Sequence, residues 1–335
     1  MSSEPMPADL VAWLSSPAAY GGAGASVECI ETHFAWVFLV GERAYKLKKR
    51  IRVYGADLRA AGERERCCRE EVRLNSRLAP DTYLGVVPVT VAGHAFALGG
   101  DGEVVDWLVA MRRLDHERML DTALRAGRVD PADLVPVVAR LCELGTAPTA
   151  PPVVARLARD YLARRVEEAL RECARTEFRV PPTLIDAVDR GIRAAAAACE
   201  RELFRRSVRA REGHGDLRCE HVHLGPPVRI IDALEFDAAL RLLEPAEELA
   251  VLAVDAERIA GGWVGDALRQ AYESLAEDPV PTAVWRFQLA LRAATRAKVA
   301  LWHLDDPAVR EVAERERWLR RGHEYLELAA RQLAR

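Results

Sequence analysis

"HGDLRCEHVHLGPPVRIIDALEF", residues 214–236, decides how this chain is read. Its first eleven residues hold His214, His221 and His223, out of eight histidines in the whole sequence. A "GPP" turn follows, then a short apolar run that reads as a strand ending at Asp232. Two carboxylates placed this way, one on a loop and one closing a strand, can divide two tasks: one accepts a proton and the other holds a divalent cation against phosphate. The same stretch offers nitrogen and oxygen donors in His214, Asp216, His221, His223, Asp232 and Glu235. Such a set could also build a metal-dependent hydrolase. A hydrogen-bonded polar loop is the plain account of any single histidine among them.

The bulk composition narrows the classes. With 335 residues the chain can bury one large core or two moderate ones. Hydrophobic residues make up 50% and charged residues 30%, an ordinary globular balance. The net charge of −3, with no basic stripe, argues against a nucleic-acid binder. Seven cysteines is an odd number; Cys67 and Cys68 are adjacent and no CxxC pair occurs, so reduced thiols are expected rather than a disulfide framework or zinc ribbon. The start of the sequence lacks the pattern of a signal peptide, and the apolar stretch "AEELAVLAVDAE" is broken by acids well short of a membrane span. A soluble cytoplasmic protein, away from membranes, is the expectation.

Along the chain the periodicity changes once. "ADLVAWLSS" reads as a helix, and "GGAGAS" at 21–26 as a linker. From Val27 come β-like runs, "VECIET", "WVFLV" and "RAYKLKK", with a "GE" turn at 41–42. Lys46 and Lys48 alternate with apolar residues, so both point to one face. "CCREEVRLNSRLAP" switches to helical spacing, with Val72, Leu74 and Leu78 as its stripe and Pro80 as its end. Strand character returns until Leu114, giving about five strands with a helix after the third. Beyond that the chain is almost wholly helical, interrupted by the opening stretch. The fold class is therefore α+β, with a small β-rich lobe and a large helical one. The domains expected are 1–26 (helix and linker), 27–114 (β-rich lobe) and 115–335 (helical lobe).

"HGDL" followed by "IIDALEF" resembles the catalytic signature of the aminoglycoside phosphotransferase family of kinase-like enzymes. "ETHFAWVFLVGERAYKLKK", "EEVRLNSRLAPDTYLGVVPVT" and "RAATRAKVALW" resemble further segments of a subgroup often fused to a P-loop ATPase. These motifs run in order from about Val27 to about Trp302. The resemblance implies a two-lobed protein-kinase-like fold and ATP-dependent, or other NTP-dependent, transfer of a phosphoryl group to a small-molecule hydroxyl, such as a sugar's or amino sugar's. Mg²⁺ would be the metal. No Walker motif GxxxxGK[ST] occurs in the sequence, so a P-loop ATPase is expected as a separate partner protein.

The same resemblance implies roles. Asp216 would be the catalytic base, His214 a brace for its loop, and Asp232 a metal ligand. Lys46 would reach the α and β phosphates, oriented by Glu71; Lys48 shares its face and is the competing choice. A solvated strand edge is the plain account of both lysines. No GxGxxG precedes them, and the hairpin "ETHFAW" would instead place Thr32, His33 and nearby backbone N–H groups over the phosphates. Glu235 belongs to the motif without a definite role. Members of the family usually carry Asn where this chain has His221. That residue is read as an alternative ligand favouring Mn²⁺, as a partner through water, or as the mark of a catalytically weak, nucleotide-binding regulatory protein. His223 is read as structural.

The acids after the motif, Glu244, Glu247, Glu248 and Asp255, either border the acceptor cleft, where they would suit a cationic amino sugar, or form a solvated helix face. Arg292 and Arg296 share a helix face, with Lys298 close by, and are read as salt-bridging residues or as contacts to an anionic group.

Overall fold

The computed structural model describes residues 8–22, 26–53, 56–93, 95–144, 164, 166–306 and 309–334. Residues 23–25 of the "GGAGAS" linker expected at 21–26 thus lie outside the described residues. The chain divides into two compact units: Met1–Glu117 with Pro227–Leu240, and Arg118–Pro226 with Arg241–Arg335. The stretch 227–240, which contains the "IIDALEF" motif, belongs with the β-rich unit although it lies far along the chain. Strand and helix periodicity carry no record of such a return.

The first unit is built on an antiparallel sheet of six strands, where about five were expected. The strands are β1 (Val27–Glu31), β2 (Ala35–Val40), β3 (Arg43–Lys48), β6 (Tyr83–Ala92), β7 (Ala95–Leu98) and β8 (Glu103–Arg112), in the order β1-β2-β3-β8-β6-β7. β4 (Arg52–Val53) and β5 (Ala56–Asp57) form a small ladder beside it. Alternation along the strands assigns the two faces. Leu47 lies opposite Leu108, and both join Phe38 and Val89 under helix α1 (Ala8–Leu14), which contributes Leu10 and Leu14. One residue earlier, Lys46 lies opposite Val109, which faces the other way, with Cys68 of helix α2 (Ala61–Asn75) and Tyr83.

Helix α2 ends at Asn75, five residues before the Pro80 expected to stop it. Its buried face is Arg64, Cys67, Cys68, Glu71, Leu74 and Asn75. Half of that face is polar, which is why the apolar stripe alone placed it imperfectly. Arg64 is held there by Asp106 of β8, at 2.8 and 3.0 Å. Two charges buried in paired, hydrogen-bonded geometry avoid the large cost of burying either alone.

The second unit is helical: α3 (Leu120–Arg125), α4 (Pro131–Cys142), α5 (166–173), α6 (Pro182–Ser207), α8 (Pro245–Ala260), α9 (Trp263–Ala276), α10 (Thr282–Trp302) and α11 (Val312–Leu333), while the one-turn α7 (Ala238–Arg241) ends the 227–240 stretch. Helices α8 and α10 are buried over most of their surfaces and form its core. α11 packs closely on α10 at Gly322, where a Cβ would stand 2.6 Å from Leu301 Cδ2. All seven cysteines are free thiols. No helix among the described residues is long and apolar enough to cross a membrane.

Candidate functional site

In the first unit the site residues form one ion-pair network. Lys46 Nζ lies 2.9 Å from Glu71 Oε1 and 2.5 Å from Asp232 Oδ1. Lys48 Nζ lies 2.5 Å from Glu71 Oε2 and also pairs with Glu235. Glu71 is fully buried and links the two lysines, one oxygen each. The solvated-edge account of the lysines does not hold: Lys48 is only 2% exposed. Burial disfavours the charge of Lys46, but Asp232 and then Glu71 outweigh it and hold the ammonium well above the ordinary lysine range. Burial also works against the Glu71 carboxylate; Lys46 and Lys48 reverse that and keep it below its usual value.

Asp232 differs from Glu71 in exposure, with 41% of its side chain open. Its backbone is left-handed, with φ of +63°, a conformation that aspartate tolerates better than most residues. Two neighbours pin it. The Tyr83 hydroxyl accepts from Asp232 N–H at 3.0 Å, and Asn75 Oδ1 accepts from Ala233 N–H at 2.8 Å. Asn75 Nδ2 in turn donates to the Glu71 carbonyl at 2.8 Å. Sequence reasoning missed Asn75 and Tyr83. The one available signal was an asparagine on the α2 face that carries Glu71. Phe236, beyond the motif, packs against Ile51, Ala56, Leu58 and Cys67.

The hairpin tip is closed on itself. Thr32 Oγ1 donates to the Ala35 carbonyl at 2.9 Å and accepts from Ala35 N–H at 3.0 Å. His33 packs edge-on against Phe34, 4.6 Å between ring centres. Thr32 thus shapes the turn, and its hydroxyl is already engaged.

In the second unit the loop 213–219 is held from below by α8. Glu248 Oε1 accepts from His214 N–H at 2.6 Å and from Gly215 N–H at 3.1 Å. Gly213 makes room for that carboxylate, since a Cβ there would lie 2.1 Å from Glu248 Oε2. Asp255 Oδ2 accepts from Cys219 N–H at 3.0 Å, and its Oδ1 accepts from the Tyr325 hydroxyl at 3.0 Å. Glu244 caps α8 and pairs with buried Arg206 at 2.6 Å; Glu247 pairs with Arg292. The acids expected as a cleft border or a solvated face are therefore engaged inside the unit, bracing the loop and its supports. Lys298 pairs with Glu168 at 3.0 Å.

On this support His214 is fully buried, and its Nδ1 accepts from Asp216 N–H at 3.3 Å. His221 stacks on it, 5.5 Å between ring centres. His221 Nδ1 lies 2.8 Å from the Asp216 carbonyl and Nε2 lies 2.9 Å from Arg218 Nη2. A carbonyl can only accept and a guanidinium can only donate, so the neutral tautomer with the proton on Nδ1 satisfies both contacts. His221 braces the loop like His214, and its Nε2 lone pair faces an arginine. His223 Nδ1 accepts from Gly225 N–H at 3.2 Å. Among the described residues no three or more His, Cys, Asp or Glu side chains gather as a metal site, so the hydrolase alternative has no ligand set.

Asp216 keeps 32% of its side chain open and meets Arg218 Nε at 3.0 Å and Arg296 Nη1 at 3.4 Å. Desolvation opposes its ionisation, but Arg218 and Arg296 outweigh it and hold the carboxyl well below the usual carboxylate range. It is an anion at any physiological pH.

No family model matches the chain. It is 31% identical over 282 residues to uncharacterized proteins of Mycobacterium tuberculosis and Mycobacterium bovis, a match covering 82% of this chain and 54% of each relative. The chain thus spans about half the length of the curated relatives it matches. Among solved structures, a choline/ethanolamine kinase family protein from Mesorhizobium loti is 16% identical, with 97% of each chain covered and a TM-score of 0.56. A glucosamine kinase is 16% identical, covering 95% of this chain and 79% of that one, with a TM-score of 0.51. Plasmodium vivax ethanolamine kinase is 11% identical, covering 89% and 82%, also at 0.51. The α+β chain, with its antiparallel sheet and helical unit, therefore has the protein-kinase-like fold that these small-molecule kinases share.

Proposed function

We propose that this protein is an ATP-dependent phosphotransferase acting on the hydroxyl of a small molecule. The observation that carries the reading is Lys46, whose ammonium is shared by buried Glu71 and half-open Asp232. A fixed lysine beside an accessible carboxylate is what a nucleotide polyphosphate and its cation need. Fold neighbours named as kinases of ethanolamine and glucosamine support it.

In the reaction the acceptor oxygen attacks the γ-phosphorus, the bond from phosphorus to the ADP oxygen breaks, and the acceptor proton passes to Asp216. The products are a phosphate ester, ADP and, after release to water, the proton. Arg218 and Arg296 keep Asp216 ionised but also make it a weak base, so its main work is to orient the hydroxyl and take the proton late. Lys46 would neutralise the α and β phosphates, with Glu71 and Lys48 fixing its position. Asp232 would hold Mg²⁺. That ion takes oxygen ligands and keeps waters and phosphate oxygens around it, so one open protein carboxylate suits it. When bound, it offsets charge on the phosphates. The case for Mn²⁺ rested on His221, whose nitrogens are both engaged with protein partners. Those contacts likewise give His221 a bracing function, and they weaken the inference of a catalytically weak regulatory protein.

A cytoplasmic location, where ATP is present and thiols stay reduced, and a separate P-loop ATPase partner belong to the same proposal. Asp216→Asn tests its centre. ATP consumption with a competent acceptor should fall by about 10²–10⁴, with the fold retained by circular dichroism. Full activity in that variant would sink the assignment of the base.

A further inference from the structure

The acceptor side of the proposed reaction is marked by arginines. Arg296 of α10 reaches Asp216 and also lies 5.9 Å from the centre of the Tyr325 ring. Arg258 of α8 lies 5.9 Å from the same ring centre. Arg321, one helical turn before Tyr325 on α11, lies over Trp318 at 5.1 Å. Arg258 of α8 and Arg296 of α10 thus meet at one tyrosine of α11, beside the loop that carries Asp216, with Arg321 one helical turn away from that tyrosine.

Their charges are only partly balanced: burial works against Arg258, though Tyr325 and then Asp255 outweigh it, and Arg296 pairs with Asp216. Among the described residues neither Arg258 nor Arg321 makes an ion pair. The buried Nε–H groups of Arg258 and Arg296 meet no acceptor there. Asp255 is the nearby carboxylate, and its oxygens are engaged by Cys219 N–H and Tyr325. Exposed Glu324 acts on Arg258 only from a distance. The mutual effect is visible at Arg321, where desolvation and then Arg258 push the guanidinium below its ordinary value. Like charges gathered in a partly buried place are unfavourable unless an anion completes them.

The acids that could have recognised a cationic acceptor are the ones turned inward: Glu244 on Arg206, Glu247 on Arg292, Glu248 on the loop backbone. We infer that the acceptor is an alcohol bearing an anionic oxygen group, phosphate or carboxylate, bound by Arg258, Arg296 and Arg321. This rests on the phosphotransferase reading. It separates the protein from the fold neighbours named for choline, ethanolamine and glucosamine.

The test uses the full chain with Mg-ATP and three acceptor panels: sugar and polyol phosphates, hydroxy acids, and the amines glucosamine, choline and ethanolamine. ATP consumption is expected from an anionic panel, and which one distinguishes phosphate from carboxylate. Arg321→Gln should raise the acceptor KM about tenfold, as expected for losing one charged hydrogen bond, with a smaller change in kcat. Arg321→Lys should recover part of the loss. A second readout needs no turnover: inorganic phosphate or glycerol phosphate should raise the thermal midpoint of the wild type, and less so that of Arg258→Gln or Arg321→Gln. Preference for the amines would overturn the inference while leaving the kinase reading intact. Anion stabilisation that ignores both substitutions would overturn it too. No ATP consumption by any panel, with anions still bound through the arginines, would instead overturn the kinase reading.

Discussion

Lys46 and Lys48 share one face of β3 and one carboxylate, yet their surroundings give them different work. Lys46 is 15% exposed and bonds to Asp232, itself open to solvent, so it can exchange a protein partner for a phosphate. Lys48 is 2% exposed and closed between Glu71 and Glu235. Removing Lys48 would leave Glu71 buried with half its compensation gone. Lys48→Met should therefore cost about 3–5 kcal/mol of stability, the usual penalty for breaking a buried ion pair, read by urea denaturation. Lys46→Met should cost less stability and remove nucleotide-dependent activity. If the two variants were equally destabilised and Lys48→Met kept the lower ATP affinity, the assignment of the phosphate-binding lysine would be reversed. Alternation along β3 placed both residues on one face from sequence alone. It could not rank them, because exposure depends on what the remote segment 227–240 brings to that face.

Helix α8 shows what helical periodicity leaves open. Glu244, Glu248 and Asp255 recur at four and seven residues, which in a sequence describes an acidic stripe and hence a wet face. The stripe instead turns inward, where Arg206, the 214–215 backbone, Cys219 N–H and Tyr325 complete it. Helical periodicity reports that residues share a face, but not which way the face looks when its partners are backbone N–H groups distant in sequence. A stability that rests on ionised carboxylates has a pH signature. Asp255, Asp216 and Glu71 each have a folded-state pKa below the ordinary value, because nearby arginines or lysines outweigh burial. Their contribution is complete above the unfolded carboxylate range of about 4 and is lost as the pH falls below it. Glu244 acts the other way: burial outweighs Arg206 and raises its pKa, so it favours the folded state slightly on acidification. Three depressed groups against one raised one predict net destabilisation below about pH 4. Urea midpoints at pH 7 and pH 3.5 check this. Asp255→Asn should be less stable at pH 7 and show a shallower loss on acidification; an unchanged slope would mean that Asp255 does not contribute.

At the scale of the molecule, the change from strand to helix near Leu114 was legible because hydrophobic period switches there, and the second unit begins at Arg118. The return of 227–240 to the first unit was not legible, since it depends on Asn75, Tyr83 and the pocket for Phe236 rather than on any local pattern. That return joins Asp232 to Lys46, so the proposed nucleotide half of the site is a property of one compact unit. The consequence is measurable. A ligand at about 100 times its Kd stabilises what it binds by about 2.7 kcal/mol. With an unfolding entropy of about 2 cal/mol/K per residue, Mg-ATP should raise the midpoint by about 4 °C if the whole chain melts in one transition. If the first unit melts by itself, the same free energy acts on fewer residues and the shift becomes about 10 °C. Lys46→Met should abolish either shift. An equal shift in that variant would place the nucleotide elsewhere, and no shift in the wild type would remove the nucleotide from the proposal, because Lys46, Glu71 and Asp232 would then be no more than a buried ion-pair network.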